Sequence, residues 1–271
     1  MKLAVSTLPF QSWTLDKTLQ FCQRAGYEAI EIRMDFHTWS DSQLPDKHYI
    51  DAMQRIAAKG LIVSDLGSGI VLNDYHDNDL KELLRAFQIA EVLHTKGVRI
   101  MLGNIRLSAG TLSHLNRKGI LRWLREADRL AGEWGREVWI ETHNEFSTGK
   151  SLHELFGEAG LLNTRVIWDI MHPLEQEEVP EETLWFLRER IAHIHIKDGL
   201  PWKDTNKLIW KYTRLGEGIV PIQRIIHLLE SAGYDGFYSL EWESAWRKEL
   251  AELDCDISAI RRYPEFMKKL K

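Results

Sequence analysis

The segment IAHIHIKDG, residues 191–199, places His193, His195 and Lys197 at every second position among aliphatic residues. Successive side chains of a strand point to opposite faces, so the three polar groups share one face and Ala192, Ile194 and Ile196 share the other. On an open sheet the polar face meets water and needs no further account. In a closed interior two imidazoles and an ammonium need partners, or a metal. The rest of the chain decides between these readings.

Outward from this segment, short β-like runs alternate with longer stretches of helical period. The strand candidates are KLAVST (2–7), AIEIRM (29–34), LIVSDL (61–66), VRIMLG (98–103), EVWIETH (137–143), TRVIWDI (164–170), AHIHIK (192–197) and FYSLEWE (237–243). Between them, stretches such as 40–60 and 221–236 carry apolar residues at three and four spacing, followed by a glycine suited to a helix C-terminus. AGYEAIEI (25–32) and AGYDGFYSLE (232–241) echo one another as a helix end, Gly-Tyr-acid and strand. No Pro, Gly or Ser-rich linker divides the 271 residues, and no G-x-G-x-x-G follows the first strand. Eight βα units in one uninterrupted domain, residues 1–271, predict a closed (β/α)8 TIM barrel, for which about 250 residues is the usual length.

Composition removes several function classes. With 35 basic and 40 acidic residues mixed along the chain, a net charge of -5 and a pI near 6.1, there is no basic footprint for nucleic acid. Cys22 and Cys255 form no C-x-x-C pair, which argues against a disulfide framework or thiolate metal site and fits a reducing cytoplasm. The opening MKLAVSTLPFQSW lacks a signal-peptide core, and no stretch approaches 18 uncharged apolar residues, so neither export nor membrane insertion is expected.

Inward positions near the carboxyl ends of barrel strands are where this architecture carries chemistry. Strand five ends in Glu141 with His143 on the same face; strand six ends in Asp169 with His172 just beyond; strand eight brings Glu241, with Glu243 two residues on. Three carboxylates in proximity raise one another's pKa unless a cation neutralises them. Glu141, Asp169, His195 and Glu241 are therefore the expected ligands of one divalent ion. The oxygen-rich set with one imidazole suits Mn²⁺ first, with Mg²⁺, Co²⁺ or Zn²⁺ as alternatives. His143 and Lys197, one step further out, are expected to face substrate. His193 lies one layer deeper; it is grouped with them as a substrate-binding candidate, or read as a core histidine or a donor that orients a carboxylate. Trp13, Trp39, Trp202 and Trp242 fall in or beside strand-end loops, where aromatic rings can wall a sugar-sized pocket. LGEGIVP (215–221) reads as a turn before a helix in preference to a phosphate cradle, because Glu217 would repel the anion.

The ETH of strand five, the D-x-x-H of DIMH (169–172), HIHIKD (193–198), LGEGIVP and LEWE (240–243), met in this order along the whole chain, resemble the xylose isomerase-like TIM-barrel superfamily of sugar phosphate isomerases and epimerases. That frame also hosts ketose 3-epimerases, hydroxypyruvate isomerase, inosose dehydratase and endonuclease IV. The resemblance implies one divalent ion, often Mn²⁺, at Glu141, Asp169, His195 and Glu241, with the two glutamates also moving protons and His172 contacting substrate. A sugar or polyol substrate is implied, related barrels often pair into homo-oligomers, and the chemistry is a metal-stabilised enediolate. The arginine that follows the strand-seven histidine in ketose epimerases is absent, and KDGLPWKD (197–204) offers Lys197 and Lys203 instead. A dehydratase of a keto-polyol is the alternative, with His143, Lys197 or His37 as the acid for the departing hydroxyl. An endonuclease IV-like reaction is disfavoured because SDLGSG, MLGN and KDTNK stand where further zinc ligands belong.

Overall fold

The computed structural model describes residues 1–104, 115–202, 210–253 and 257–270. Lys203 and Cys255 lie outside them. Eight parallel strands close into a barrel: β1 (Lys2–Ser6), β2 (Ala29–Arg33), β3 (Ile62–Leu72), β4 (Gly97–Leu102), β5 (Glu137–Glu141), β6 (Thr164–Asp169), β7 (Ile191–Ile196) and β10 (Phe237–Leu240), the last pairing with β1. β8 (Gly199–Leu200) and β9 (Lys211–Tyr212) form a small antiparallel ribbon after β7, which the alternation of βα units did not foreshadow. Helices α1 (Leu15–Ala25), α2 (Asp46–Ala58), α3 (Asp77–Val92), α4 (Arg117–Trp134), α5 (Gly149–Ala159), α6 (Pro180–Leu187) and α7 (Ile222–Ser231) join successive barrel strands. Two more, α8 (Lys248–Leu253) and α9 (Ser258–Lys268), follow β10. The expected (β/α)8 barrel is the observed fold.

The Gly-Tyr echo has a structural meaning. Gly26 and Gly233 adopt φ of 90° and 82°, a left-handed conformation that side chains with a Cβ seldom tolerate, and each turns a helix back towards the next strand. Tyr27 donates its hydroxyl to the Ile260 carbonyl at 2.6 Å, tying the start of the barrel to α9; Tyr234 donates to the Phe237 carbonyl at 2.8 Å, closing the turn into β10. Tyr263 of α9 stacks on Tyr27 and donates to the Tyr238 carbonyl, so the terminal helix covers the β1–β10 closure.

Register decides which strand residues meet inside. In β7 and β10, His193 lies opposite Phe237 and His195 opposite Ser239, which sets His195 one layer nearer the carboxyl end. The β2–β3 pairing shifts register between Ile30 and Ile32, at Glu31. Every residue of β4 and all but the first of β5 are buried, as expected for strands covered on both faces. No described helix is long and apolar enough to cross a membrane.

The loop after β2 is itself packed. His37 is 4 % exposed, stacks on Trp39 at 4.5 Å and meets Phe36 edge-on. Burial pushes its pKa down to about 4. A group lowered on folding contributes stability above its unfolded pKa of about 6.5, and this is lost as the pH falls through the folded value. Denaturant titrations between pH 7 and pH 4 should show unfolding free energy declining with a component of roughly 1–3 kcal/mol that His37→Phe removes.

Candidate metal and proton-transfer site

At the carboxyl end of the barrel the side chains of β5, β6, β7 and the residue after β10 converge. Glu141, Asp169, His195 and Glu241 each offer one donor atom within 4.8 Å of the other three, and all four are at most 4 % exposed. His195 Nδ1 stands 3.3 Å from both Glu141 Oε1 and Glu241 Oε2. The four residues expected as ligands are thus brought together. Ligands on opposite sides of a single divalent ion stand about 4–5 Å apart at ordinary bond lengths, so this donor set fits one ion.

The charges around this set explain how it survives burial. Lys197 Nζ lies 2.7 Å from Asp169 Oδ2 and 2.6 Å from Glu241 Oε2, and also contacts Glu243. The ammonium expected to face substrate from further out is therefore drawn in where two of the candidate ligands converge, a position that evidently attracts positive charge. Arg99 of β4 donates to Glu141 and reaches Glu241 Oε1 at 3.5 Å. Burial alone would raise the Glu141 carboxyl, but the Arg99 guanidinium and the His195 ring outweigh it and hold it well below the usual carboxylate range. Glu241 follows the same pattern, with Lys197 and His195 overcoming burial. Burial disfavours the His195 cation, yet Glu241, Glu31 and Glu141 together raise its pKa well above the ordinary value.

His172 hydrogen-bonds through Nδ1 to the Thr142 carbonyl at 2.7 Å and stands 3.4 Å from the Tyr212 hydroxyl. Its ring meets that of His143 edge-on at 4.7 Å, and Glu141, His143 and His172 form a second convergent donor group. His193 lies beneath His195, stacked near Trp139, with Nε2 3.6 Å from both Glu31 Oε2 and Asp65 Oδ1. It belongs to the inner layer, because two residues along a barrel strand separate one layer from the next.

Glu31, Asp65 and Arg99 were not singled out from the sequence. For Glu31 and Arg99 the signal was the same alternation that marks His193 and His195: a charged residue flanked by Ile30 and Ile32 in β2, and by Val98 and Ile100 in β4, in strands whose faces are both buried; Asp65, between Ser64 and Leu66, lacks it. Of the aromatic residues, Trp39 donates its indole N–H to the Trp13 carbonyl, and Trp242 is buried beside Glu241.

The glycine-rich turn after β9 takes its shape from Asp198. That carboxylate accepts backbone N–H groups from Gly199 at 2.8 Å, Gly216 at 2.8 Å, Gly218 at 3.0 Å and Val220 at 3.2 Å. A Cβ on Gly218 would meet Asp198 Oδ1 at 2.0 Å, so this turn closes around an internal anion, in agreement with the reading of LGEGIVP as a turn. Asp198→Ala should cost about 3 kcal/mol or more by leaving several N–H groups without their acceptor. Hydrogen exchange should accelerate selectively at Gly216, Gly218 and Val220, and unchanged exchange there would refute the clamp.

The xylose isomerase-like TIM barrel family model matches residues 19–263. Among curated proteins none matches the chain. The IolI protein with a binding zinc atom is 17 % identical, with a TM-score of 0.77 over 100 % of this chain and 98 % of that one. The probable 3-DHS dehydratase AsbF of Bacillus anthracis, involved in petrobactin synthesis, is 21 % identical, with a TM-score of 0.73 over 93 % and 98 %. D-allulose 3-epimerase from Methylomonas sp., in complex with D-allulose, is 18 % identical, with a TM-score of 0.73 over 100 % and 97 %. At these identities the likeness is one of fold, and it is the family model, spanning nearly the whole barrel, that shows the chain to belong to the xylose isomerase-like TIM barrel family.

Proposed function

We propose that this protein is a divalent-metal-dependent isomerase or epimerase of a small sugar or polyol, working by proton transfer at a carbon next to a carbonyl. The observation that carries the reading is the convergence of Glu141 and Glu241, from strands on different sides of β6 and β7, on the same nitrogen of His195, Nδ1. Glu141, Asp169, His195 and Glu241 would hold the ion, for which Mn²⁺ is the first candidate. When bound, such an ion supplies Lewis-acid stabilisation of oxygen charge on a hydroxy-carbonyl substrate.

The residues do the rest. Glu141 and Glu241 approach from two directions, so one carboxylate abstracts the proton and the other returns it. Return to the same carbon from the opposite side gives an epimer; return to the neighbouring carbon gives an aldose-ketose isomer. Arg99 lowers the basicity of Glu141 until substrate displaces or shares that contact. His172, fixed by its bond to the Thr142 carbonyl, and His143, whose ring meets it edge-on, would hold substrate hydroxyls.

A second reading keeps the site and changes the outcome. Lys197, an ammonium held between Asp169 and Glu241 and near the Tyr212 ring, is a protonated group at the centre of the site. Next to a β-hydroxyl it would protonate the leaving oxygen, and the reaction becomes a dehydration.

Purified protein should bind one divalent ion per chain, measured by equilibrium dialysis, and lose that binding in Asp169→Asn combined with His195→Ala. Chelation should abolish activity while leaving the far-ultraviolet circular dichroism unchanged, since Arg99 and Lys197 remain as internal counter-charges. With Mn²⁺ saturating, Glu141→Gln and Glu241→Gln should each lose at least ~100-fold in kcat. Ketoses, hydroxypyruvate, inosose and dehydroshikimate incubated in deuterated solvent should reveal the substrate by deuterium at the α-carbon. A product lacking the elements of water selects the dehydratase, and near wild-type turnover in both metal-saturated Gln variants would remove the glutamates from proton transfer.

A further inference from the structure

We propose that Glu31 is a positioning residue for His195, holding that ring in the one tautomer that presents Nδ1 to a cation; this rests on the reading of His195 as a metal ligand. The two nitrogens of His195 face different partners. Nδ1 looks towards Glu141 and Glu241 at 3.3 Å each, whereas Nε2 lies 3.0 Å from Glu31 Oε2 on the opposite side of the ring. A neutral imidazole has one N–H and one lone pair. Once a cation takes the place of the Nδ1 proton, the Nε2–H stays donated to Glu31 and the lone pair of Nδ1 is directed between the two glutamates.

Glu31 is itself held. Ser239 donates to the same Oε2 at 3.2 Å, and His193 Nε2, 3.6 Å away, lies between Glu31 and Asp65. Glu31 and His195 are both completely buried. A carboxylate between Ile30 and Ile32 bears a desolvation cost that an aliphatic residue at the same position would avoid, so the architecture alone gives no reason for an acid here. Orientation of a ligating imidazole by an anion on its other nitrogen does give one, because it fixes the tautomer and makes the ligating nitrogen more basic.

The test compares Glu31→Gln, which keeps an oxygen able to accept from Nε2–H but lacks the charge, with Glu31→Leu, which lacks both. Asp169→Asn serves as the direct-ligand control. Zn²⁺ dissociation constants by chelator competition should rise about 10–100-fold in Glu31→Leu and by a smaller factor in Glu31→Gln. In Zn²⁺-loaded wild type, ¹⁵N-histidine NMR should show His195 protonated on Nε2 and ligated through Nδ1, and Glu31→Leu should lose that single tautomer. A residue needed only for packing would shift thermal unfolding without moving the tautomer. If wild type binds no Zn²⁺, the metal reading falls and takes this inference with it. If wild type binds and Asp169→Asn weakens binding, but the Glu31 variants stay within twofold with the tautomer unchanged, this inference alone is overturned. It is equally overturned if wild type binds a second equivalent that Glu31→Gln loses, since Glu31 would then be a ligand itself. Should Glu31→Leu fail to fold, Glu31→Gln decides, and an affinity within twofold of wild type is the overturning result.

Discussion

Glu31, Asp65, Glu141, Asp169 and Glu241 share the interior of one barrel at no more than 4 % exposure, and removing an ionised carboxylate from water costs several kcal/mol unless an opposite charge accompanies it. Among the described residues Arg99 and Lys197 are the permanent cations in direct contact with this group, and His195 touches three of its members. The positions of these side chains are coupled for that reason. Moving one cation leaves a buried anion exposed to its like neighbours, so the geometry of the site and the integrity of the barrel interior are maintained by the same contacts.

Besides Arg99 and Lys197, the His195 ring, whose pKa the surrounding glutamates raise, and the Arg33 guanidinium, which feels Glu31, Glu141 and Glu241, offset these five carboxylates, and a divalent ion would add to that compensation. Part of the compensation is covalently attached to the chain and part can come from solution. That division would let the barrel fold before an ion is loaded, unlike small domains whose fold depends on the ion. It also assigns Lys197 two relations at once, to the carboxylates that would hold the ion and to Glu243 and Tyr212 at the mouth.

The strands, their parallel order and the four converging donors were legible in the sequence because period-two alternation and strand-end acids are local signals. β3 was legible only in part: it runs to Leu72, well past LIVSDL, because its serines and glycines look like a loop when read without the neighbouring strands. Glu31, Asp65 and Arg99 stayed hidden because one charge in an apolar strand reveals its face only after the register is known, and register is set by pairing across the barrel. The ribbon of β8 and β9 was illegible for a related reason, since two residues a side carry no periodicity. Lys197 was correctly given to the inner face, but its depth depends on the reach of a flexible side chain towards carboxylates on two other elements.

Asp198 follows Lys197 directly and gathers the backbone of Gly199, Gly216, Gly218 and Val220 on one carboxylate. The segment that leaves β8 and returns through β9 is consequently pinned at both of its roots to the same point. The backbone at the start of β8 and the backbone after β9 thus share one acceptor, directly beside Lys197. For a protein lineage this makes Asp198 a shared constraint: a substitution there is felt at the turn of Gly216 to Val220 and beside Lys197 at once.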